Sequence, residues 1–479
     1  MGAKKVMSKS YYVHTAIILV LMLGFGFLPP FGPVTALGMR VLGIFLGCIY
    51  AWTVGETIWP SILGLMLLAL TGENTMAGIL GSAYGNQTLL MVLFSVLFCY
   101  AIQVSGLLAV IAKIFLSMKF ARKGPWMLAL AFFITSWVAS ILTINAMPVA
   151  LLLWGIFYDV CEQLDVKPYS KYATIVMVGI VICGYAGNVV MPYNGFALIA
   201  QGLLATVDPT ASINPGLYIL SMALIGVVLI PVLTIFFKLI GPKIDYKPVH
   251  IDAGETKFDT RQKITLGSIV LLCVLMMLPS IIPATFPFAD VIKRFGSLGA
   301  IIFVPVLLMI CTFKGERFLD INDGMKNGVP WGLYFLLATA LTMGSAIVSA
   351  DTGIAVLLNQ MMAPLLAGKS AFFVMAILVA LGCVITNCIN NVVTISILLP
   401  IAYSYVTGAG GDPLVIVVLF MFVLLQGVVM PAGSVCGALL HGNTDWLKAG
   451  MIYKYASLGE IIVIVVLIVV GIPIVSLFF

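Results

Sequence analysis

The stretch "ITNCINNVVTISILLP", Ile385–Pro400, puts three asparagines and three hydroxyl residues into an otherwise apolar part of the chain, without one charged residue. Membrane helices use single amides as packing contacts, and each interhelical hydrogen bond is worth roughly 0.6 kcal/mol. Three asparagines between Asn387 and Asn391 exceed that ordinary use. The stretch therefore predicts a polar interruption in a membrane segment, and a binding site there is favoured over simple packing.

The composition of the whole chain defines the class of protein. Of its 479 residues, 62% are hydrophobic and only 9% are charged, against about 25% charged in ordinary globular domains. Apolar runs long enough for a hydrocarbon core of about 30 Å recur from end to end. They are continuous and not alternating, and lipid-embedded backbone must satisfy its own hydrogen bonds, so helices are expected and not a barrel. The sequence predicts an all-α polytopic membrane protein.

The cysteines and the net charge exclude other classes. The nine cysteines are scattered without a CxxC pair or a histidine–cysteine cluster, so we expect free buried thiols, no metal centre and no cofactor. The net charge of +6 comes from lysines and arginines in the loops between apolar segments. We therefore expect the lipid bilayer as a partner and no nucleic acid.

Windows of about 19 residues divide the chain into two similar halves joined by a polar loop. In the first half, 1–240, we expect scaffold helices within 13–122, an interrupted segment at 125–160, a broken span at 172–206 and a helix at 216–238. The loop 241–263 reads as a cytoplasmic linker. In the second half, 264–479, we expect scaffold helices within 264–366, an interrupted segment at 370–406, a broken span at 413–441 and a helix at 452–477.

The basic residues indicate the topology. If the N-terminus is cytoplasmic and both interrupted segments re-enter without crossing, the chain has about eleven transmembrane helices. All 24 lysines and arginines then lie inside except Arg40, Lys293, Arg294 and Lys369. This distribution favours a multi-pass protein of the inner (plasma) membrane with its N-terminus in the cytoplasm. The basic start "MGAKKVMSKSYYVH" is expected to lead into the first helix and not to be a removable signal.

The two interrupted segments resemble each other. When "ASILTINAMPVALLLW", Ala139–Trp154, is aligned with Ile385–Pro400 without gaps, Ser140 meets Thr386 and Asn145 meets Asn391. Each half also has a span broken by glycine and proline after its interrupted segment. Paired interruptions of this kind indicate the binding site of an inverted-repeat transporter. We expect two re-entrant hairpins that enter from opposite faces and meet near the midplane.

Such hairpins and broken helices offer a site for an anion without an arginine. Helix N-termini carry freed N–H groups and partial positive charge, and exposed carbonyls can ligate a small cation. No Asp or Glu lies in either hairpin core or in the breaks, which suits a small anionic substrate. The 18 carboxylates of the chain lie almost wholly at span ends or in loops, with Glu56 and Glu460 as the exceptions. A proton-coupled cation carrier would need a buried carboxylate.

At this point the whole chain resembles the divalent anion:sodium symporter (DASS) family of the ion-transporter superfamily. The resemblance rests on "VPWGLYFLLATALTMGSAIVSADTGIAVLL" (Val329–Leu358), on the hairpins and broken spans, and on "YKYASLGEIIVIVVLIVVGIPI" (453–474). It implies homodimers with eleven crossings, an elevator-type motion of a transport domain, and transport of dicarboxylates, citrate or sulfate, usually with Na⁺.

The resemblance also implies site residues. Relatives carry a Ser-Asn-Thr triplet at each hairpin tip, where this chain has Ile144-Asn145-Ala146 and Asn390-Asn391-Val392. The hydroxyl residue four positions earlier, which helps bind sodium in relatives, matches Ser140 and Thr386. We expect the substrate to contact Asn145, Asn390, Asn391, Thr394, Pro192, Asn194 and Ser434. We expect a coupling ion, Na⁺, to contact Ser140, Asn145, Val190, Thr386, Asn391 and Gly433.

The leading hypothesis is a secondary active transporter for di- or tricarboxylates that works by sodium symport or by anion exchange. A passive anion channel is disfavoured because occluding hairpins suit a carrier. A membrane enzyme is disfavoured because no His/Asp/Glu or Ser/Lys constellation converges on the hairpins. An ion or metalloid exchanger of the same superfamily stays open, and Glu460→Gln should then abolish pH-dependent transport.

Overall fold

A computed structural model of the chain describes residues 9–72, 74–143, 146–244, 246, 257–282, 285–388, 391–431 and 433–479. Of Gly195, Phe196, Ser280, Ile281, Val348 and Val393 it describes the backbone alone. Helices make up most of this part of the chain.

The helices of the first half are α1 (Lys9–Leu19), α2 (Ala36–Thr53), α3 (Ile58–Leu70), α4 (Met76–Tyr84), α5 (Gln87–Val104), α6 (Leu107–Leu116), α7 (Pro125–Ile141), α8 (Met147–Gln163), α9 (Lys171–Asn188), α10 (Gly195–Val207) and α11 (Pro215–Ile240). Those of the second half are α12 (Thr260–Ile281), α13 (Ala289–Ile310), α14 (Ile321–Asp323), α15 (Trp331–Val348), α16 (Ile354–Leu366), α17 (Ala371–Cys388), α18 (Asn391–Gly408), α19 (Pro413–Val423), α20 (Val435–Gly442), α21 (Ala449–Val466) and α22 (Ile472–Phe478).

Short pieces of tighter or wider helix join these elements. They are the π-helical segments Val20–Gly24, Gly324–Gly328 and Leu467–Gly471 and the 3₁₀ segments Phe25–Phe27, Lys119–Lys123 and Ala350–Thr352. The strands of the described chain are β1 (Thr312–Phe313) and β2 (Glu316–Arg317), a two-residue antiparallel pair. The all-α class predicted from the sequence is confirmed.

Length and hydropathy identify the membrane-crossing helices. Within the described residues nine helical segments can cross a membrane, or up to ten if the pair Ile321–Gly328 and Trp331–Ile347, bent by 76°, counts as one span. The predicted polytopic membrane protein is therefore confirmed. The count of eleven crossings and the inverted relation of the two halves stay predictions.

The sequence shows why the helices flanking the expected hairpins and breaks begin and end where they do. Proline at the first turn begins α7 and α19, a position where its missing N–H costs nothing. Ser170 and Asp412 accept hydrogen bonds from backbone N–H groups at the starts of α9 and α19. In both halves a glycine in the left-handed region, Gly106 or Gly353, separates a long helix from the short helix before a hairpin arm.

The two helices that precede the breaks form the centre of the bundle. Every residue of α9 from Tyr172 to Asn188 is buried, and so is every residue of α19 from Val415 to Val423. By contrast, only 11% of the first span, Lys9–Phe27, is buried. Helices that are apolar all round lie in the interior of a bundle, so the breaks that follow α9 and α19 are internal.

Some details differ from the expectations. Gly296, with φ 53° and ψ −167°, kinks α13 in its second turn, a conformation that favours glycine. All nine cysteines are free, but Cys311 and Cys388 are exposed and Cys273 is half-buried, so the expectation of buried thiols was wrong for these three.

Candidate functional site

The tip of the first hairpin is fastened to the break after α9 by one side chain. Asn188, the last residue of α9, donates from Nδ2 to the carbonyl oxygens of Ser140 (2.8 Å) and Thr143 (2.7 Å), where α7 ends. The last carbonyls of a helix have no partner within the helix, and the asparagine amide supplies one. The hairpin tip therefore cannot separate from the break without losing two buried hydrogen bonds.

Glycines on α9 allow this close approach. A Cβ on Gly187 would lie 2.1 Å from the carbonyl oxygen of Trp137, and a Cβ on Gly184 would lie 3.0 Å from Ser136 Oγ and 3.2 Å from Ser140 Oγ. Small residues let membrane helices pack backbone against backbone. The pair Gly184 and Gly187 thus places the start of the break directly against the hairpin arm α7.

Two oxygen atoms at this junction have no hydrogen-bond partner among the described residues. They are Ser140 Oγ and Asn188 Oδ1, and both side chains are almost completely buried. A buried polar atom without a partner carries a desolvation cost of about 1–3 kcal/mol. Such an atom in a native fold indicates a missing water, ion or ligand, and oxygen atoms are the ligands that hard cations prefer.

The tip of the second hairpin is closed by its own residues. Thr386 at the end of α17 donates from Oγ1 to Asn391 Oδ1 at the start of α18 (2.8 Å), and also lies 3.4 Å from the carbonyl oxygen of Leu424. Both residues are buried. The structure thus brings together two residues predicted for the ion site, one from each arm of the hairpin.

Asn387 then fastens this hairpin to the break after α19. Its Nδ2 donates to the carbonyl oxygens of Cys383 (2.8 Å) and Gln426 (3.1 Å), and its Oδ1 accepts from the backbone N–H of Val429 (2.8 Å). The attachment mirrors that of the first half, where the asparagine comes from the break instead of the hairpin. Beside it, Gln426 is buried and its Oε1 has no partner among the described residues.

The second break folds tightly around two glycines. A Cβ on Gly427 would lie 2.8 Å from the carbonyl of Gly433 and 2.9 Å from the carbonyl oxygen of Thr386. A Cβ on Gly433 would lie 3.0 Å from the carbonyl oxygen of Asn387. Three carbonyl groups therefore lie close together at this point, as sodium coordination at an unwound helix requires.

Ser434 immediately precedes α20. Its Oγ donates to the carbonyl oxygen of Gly427 and accepts from the N–H of Gly437 (3.0 Å). This is a serine N-cap, which satisfies one of the free N–H groups at the helix start. The predicted substrate residue thus has a structural role in forming the break.

One hydrogen bond joins the two breaks. The hydroxyl oxygen of Tyr185, in the last turn of α9, accepts from the backbone N–H of Cys436 in the first turn of α20 at 3.2 Å. The two residues are buried and come from different halves of the chain. The C-terminal end of α9 and the N-terminal end of α20 therefore meet inside the protein.

The remaining predicted residues lie in or beside these elements. Val190 and Asn194 are buried in the first break, and the carbonyl oxygen of Pro192 accepts from Gln201 Nε2 of α10 (3.2 Å). Thr394 is buried in the first turn of α18. Asn145 and Asn390, the two tip asparagines, lie outside the described residues.

Four residues that hold the site together were not among the residues predicted from the sequence. They are Tyr185, Asn188, Asn387 and Gln426. The sequence offered a signal for Tyr185, Asn188 and Gln426, each of which is an isolated amide or phenol in an apolar surrounding. A buried polar group of this kind must find a hydrogen-bond partner. The alignment of the two interrupted segments could not reveal them, because Asn387 aligns with Ile141. In addition, Asn188 bonds from the break to the hairpin, whereas Asn387 bonds from the hairpin to the break.

The short segments that form these contacts contain no charged residue. No Asp, Glu, Lys or Arg occurs in the segments 140–148, 183–195, 383–394 and 423–438. The polar groups present there are amides, hydroxyls, carbonyls and the free N–H groups at the starts of α8, α10, α18 and α20. Such groups can bind an anion by N–H donation and a cation by oxygen coordination.

Comparison with known proteins gives the following matches. Residues 48–423 match the family model named CitMHS, described as a citrate transporter. No curated protein matches the sequence. Among solved structures, the YdaH transporter of Alcanivorax borkumensis, described as having an unusual topology, superposes with a TM-score of 0.53 at 14% identity, over 82% of this chain and 86% of that one.

A second solved structure is similar over a longer stretch. MtrF of Neisseria gonorrhoeae, described as illuminating a class of antimetabolite efflux pumps, superposes with a TM-score of 0.54 at 14% identity, over 95% of this chain and 97% of that one. At this level of identity the likeness shows a shared fold alone. It agrees with an all-α membrane transporter.

Proposed function

Since this chain belongs to the CitMHS family of citrate transporters and is a secondary transporter of the ion-transporter superfamily, we propose that it carries citrate or a similar small di- or tricarboxylate together with a cation. The DASS family that the sequence resembles lies in the same superfamily. The observation that carries the proposal is the pair of unpartnered buried oxygens, Ser140 Oγ and Asn188 Oδ1, at a hairpin tip without fixed charge.

The lack of charge around the breaks supports co-transport of a cation. A carboxylate with several negative charges is strongly disfavoured in an apolar interior unless its charge is compensated. No lysine or arginine occurs in the four segments that form the hairpin tips and breaks. The compensating charge then comes from cations that bind with the substrate, which makes transport depend on a cation gradient.

Sodium is the cation that we propose, and the first hairpin offers it a site. Ser140 Oγ and Asn188 Oδ1 would supply two oxygens, and Val190 would add a carbonyl at the unwound end of α9. At the second hairpin, Thr386, Asn391 and Gly433 would contribute in the same way. Substrate carboxylates would face the helix starts near Asn145, Asn194, Asn390, Asn391, Thr394 and Ser434, with Pro192 shaping the first break.

The proposed mechanism is an elevator-type alternating access. The hairpin helices α7, α8, α17 and α18 are fastened to the breaks by Asn188 and Asn387, which supports movement of hairpins and breaks as one body. The remaining helices would form the scaffold of a homodimer in the inner membrane, with the N-terminus in the cytoplasm. Cross-linking between scaffold helices of two copies in native membranes tests the dimer.

Uptake into liposomes tests the proposed function. Purified protein should accumulate radiolabelled citrate above protein-free liposomes when Na⁺ is higher outside, and unlabelled citrate should compete. A thermal-shift series should show that citrate and Na⁺ together raise the Tm more than either alone, because a ligand stabilises the fold by RT ln(1 + [L]/Kd). A folded protein with neither uptake nor a shift for citrate, succinate, malate or sulfate contradicts the proposal.

A further inference from the structure

One buried carboxyl group takes no part in the scheme above. Glu460 lies on α21 and is only 6% exposed. Neither of its carboxyl oxygens has a hydrogen-bond partner among the described residues. An ionised carboxylate in such a place is strongly disfavoured unless its charge is compensated. Ionisable groups inside membrane proteins are rare and mark functional positions.

The helices around Glu460 present mostly apolar side chains at its level. A Cβ on the adjacent Gly459 would meet Ile182 of α9 and Phe237 and Leu233 of α11. Lys238, near the end of α11, is exposed. The bundle therefore supplies no counter-charge from these two helices.

The other packed helices bring the polar groups. From α17, the thiol of Cys383 and the amide of Asn387 face the carboxyl group. From α20, His441 packs against Tyr453, about two turns before Glu460 on α21, and its Nε2 lies 3.0 Å from the carbonyl oxygen of Val429. Asn387 is thus the polar side chain that links Glu460 to the second hairpin.

Asn387 is also the residue that fastens the second hairpin to the break after α19. Its Nδ2 holds the carbonyl of Gln426 and its Oδ1 holds the N–H of Val429. The same amide therefore lies between the only buried carboxyl group among the described residues and the attachment of the hairpin.

We propose that Glu460 is a proton-binding site, and that its proton controls through Asn387 how firmly the second hairpin is attached to the break after α19. With the proton bound, Asn387 keeps its bonds to Gln426 and Val429. When the proton leaves to water, the carboxylate attracts the Nδ2 hydrogens of Asn387, because a hydrogen bond to a charged acceptor is stronger than one to a carbonyl. The amide is a rigid group, so its turn toward the carboxylate breaks the bonds to Gln426 and to Val429, and the break loosens.

The inference stands apart from the proposed function, because its tests need no transported substrate. Two measurements test it. The first is infrared difference spectroscopy of the reconstituted full-length protein in H₂O and D₂O. The wild type should show the C=O band of a buried protonated carboxylic acid, and Glu460→Gln should lack this band. The control is Glu56→Gln, which changes a carboxylate that accepts a hydrogen bond from Trp59 Nε1 and should keep the band.

The second measurement is hydrogen–deuterium exchange of the segment 424–431, which contains the N–H of Val429. In the wild type, exchange corrected for the intrinsic effect of pH should rise roughly three- to tenfold when Glu460 ionises, the factor that corresponds to one lost hydrogen bond. Glu460→Gln should keep the low-pH rate throughout. Asn387→Leu, which removes the linking amide, should show the fast rate at every pH.

The outcomes separate the two proposals. A carboxylic acid band that persists in Glu460→Gln, or exchange that ignores Glu460, overturns the proton site even if citrate is transported. If the wild type shows no citrate uptake but has the carboxylic acid band and pH-dependent exchange, the proposed function is overturned and the proton site stands. If Glu460→Gln fails to fold, the pH dependence of exchange in the segment 424–431 is compared between the wild type and Asn387→Leu. The same pH dependence in both proteins overturns the proposal.

Discussion

The Tyr185 hydroxyl and the backbone N–H of Cys436 form a hydrogen bond of 3.2 Å between the two halves of the chain. Tyr185 precedes the first break by one helical turn, and Cys436 follows the second break directly. Each break is in turn fastened to its own hairpin, by Asn188 in the first half and by Asn387 in the second. The bond therefore couples the two hairpins through their breaks.

Replacing Tyr185 by phenylalanine tests this coupling. The change leaves the buried Cys436 N–H without a partner, so the free energy of unfolding should fall by about 1–3 kcal/mol. The apparent KM for citrate should rise because α20 is less well positioned. Thermal unfolding and uptake kinetics measure the two effects. The control is Tyr172→Phe, which removes a bond to the carbonyl oxygen of Pro125 far from the breaks and should lower stability without changing KM. Equal KM effects in both variants would contradict the coupling.

Ser140 and Ser136 form a matched pair for testing the cation site. Both are buried on α7, but Ser136 Oγ donates to the carbonyl oxygen of Ile180 (2.6 Å), whereas Ser140 Oγ has no partner among the described residues. Ser140→Ala should leave the Tm almost unchanged and raise the Na⁺ concentration for half-maximal uptake by roughly tenfold. Ser136→Ala should lower stability by roughly 0.6 kcal/mol and leave the sodium dependence unchanged. The reverse pattern excludes Ser140 as an ion ligand.

Gly427 tests whether the second break needs its tight backbone contacts. Alanine there would place a Cβ 2.8 Å from the carbonyl of Gly433, so the break must open, at a cost of about 1–3 kcal/mol, and uptake should be lost. The control is Gly442→Ala at the end of α20, where a Cβ meets nothing within 4 Å. That change should stay within about 0.5 kcal/mol of the wild type. Normal transport by Gly427→Ala would show that the close contact is dispensable.

Asp208 gives a prediction for acid stability. It lies in the loop between α10 and α11, where hydrogen bonds from Thr210 and then from Tyr403 lower the pKa of its carboxyl from 3.8 to about 2. Tyr403, on α18, donates to Asp208 Oδ2 at 2.6 Å, so the contact fixes the end of the second hairpin. A lowered pKa in the folded state means that the stabilisation is complete above the unfolded pKa and disappears as the pH falls from 3.8 towards 2.

The Tm difference between the wild type and Asp208→Asn checks this sign. The wild type should be more stable at neutral pH, and its advantage should shrink only below about pH 4. Tyr403→Phe should reduce the same advantage without removing it, because Thr210 still donates to Asp208 Oδ1. An advantage that already vanishes near pH 6, or that grows in acid, contradicts the assignment.

The sequence determined the class of the protein and the position of its interruptions. Continuous apolar runs without charge can only be helices in a membrane, because lipid offers no partner to the backbone. Glycine, proline and polar clusters within those runs placed the hairpin tips near Asn145 and Asn391 and the breaks near Pro192 and Ser434. The structure has helix ends at these places.

Only the tertiary structure showed what holds those interruptions together. Asn188 and Asn387 carry the same kind of contact from opposite sides, and Tyr185 finds its partner 251 positions along the chain. A hydrogen bond depends on the position of two atoms in space, and the local pattern around one of them does not contain the other. For the same reason the sequence could present Glu460 as a candidate, but only the packing of α21 against α17 placed it beside Asn387.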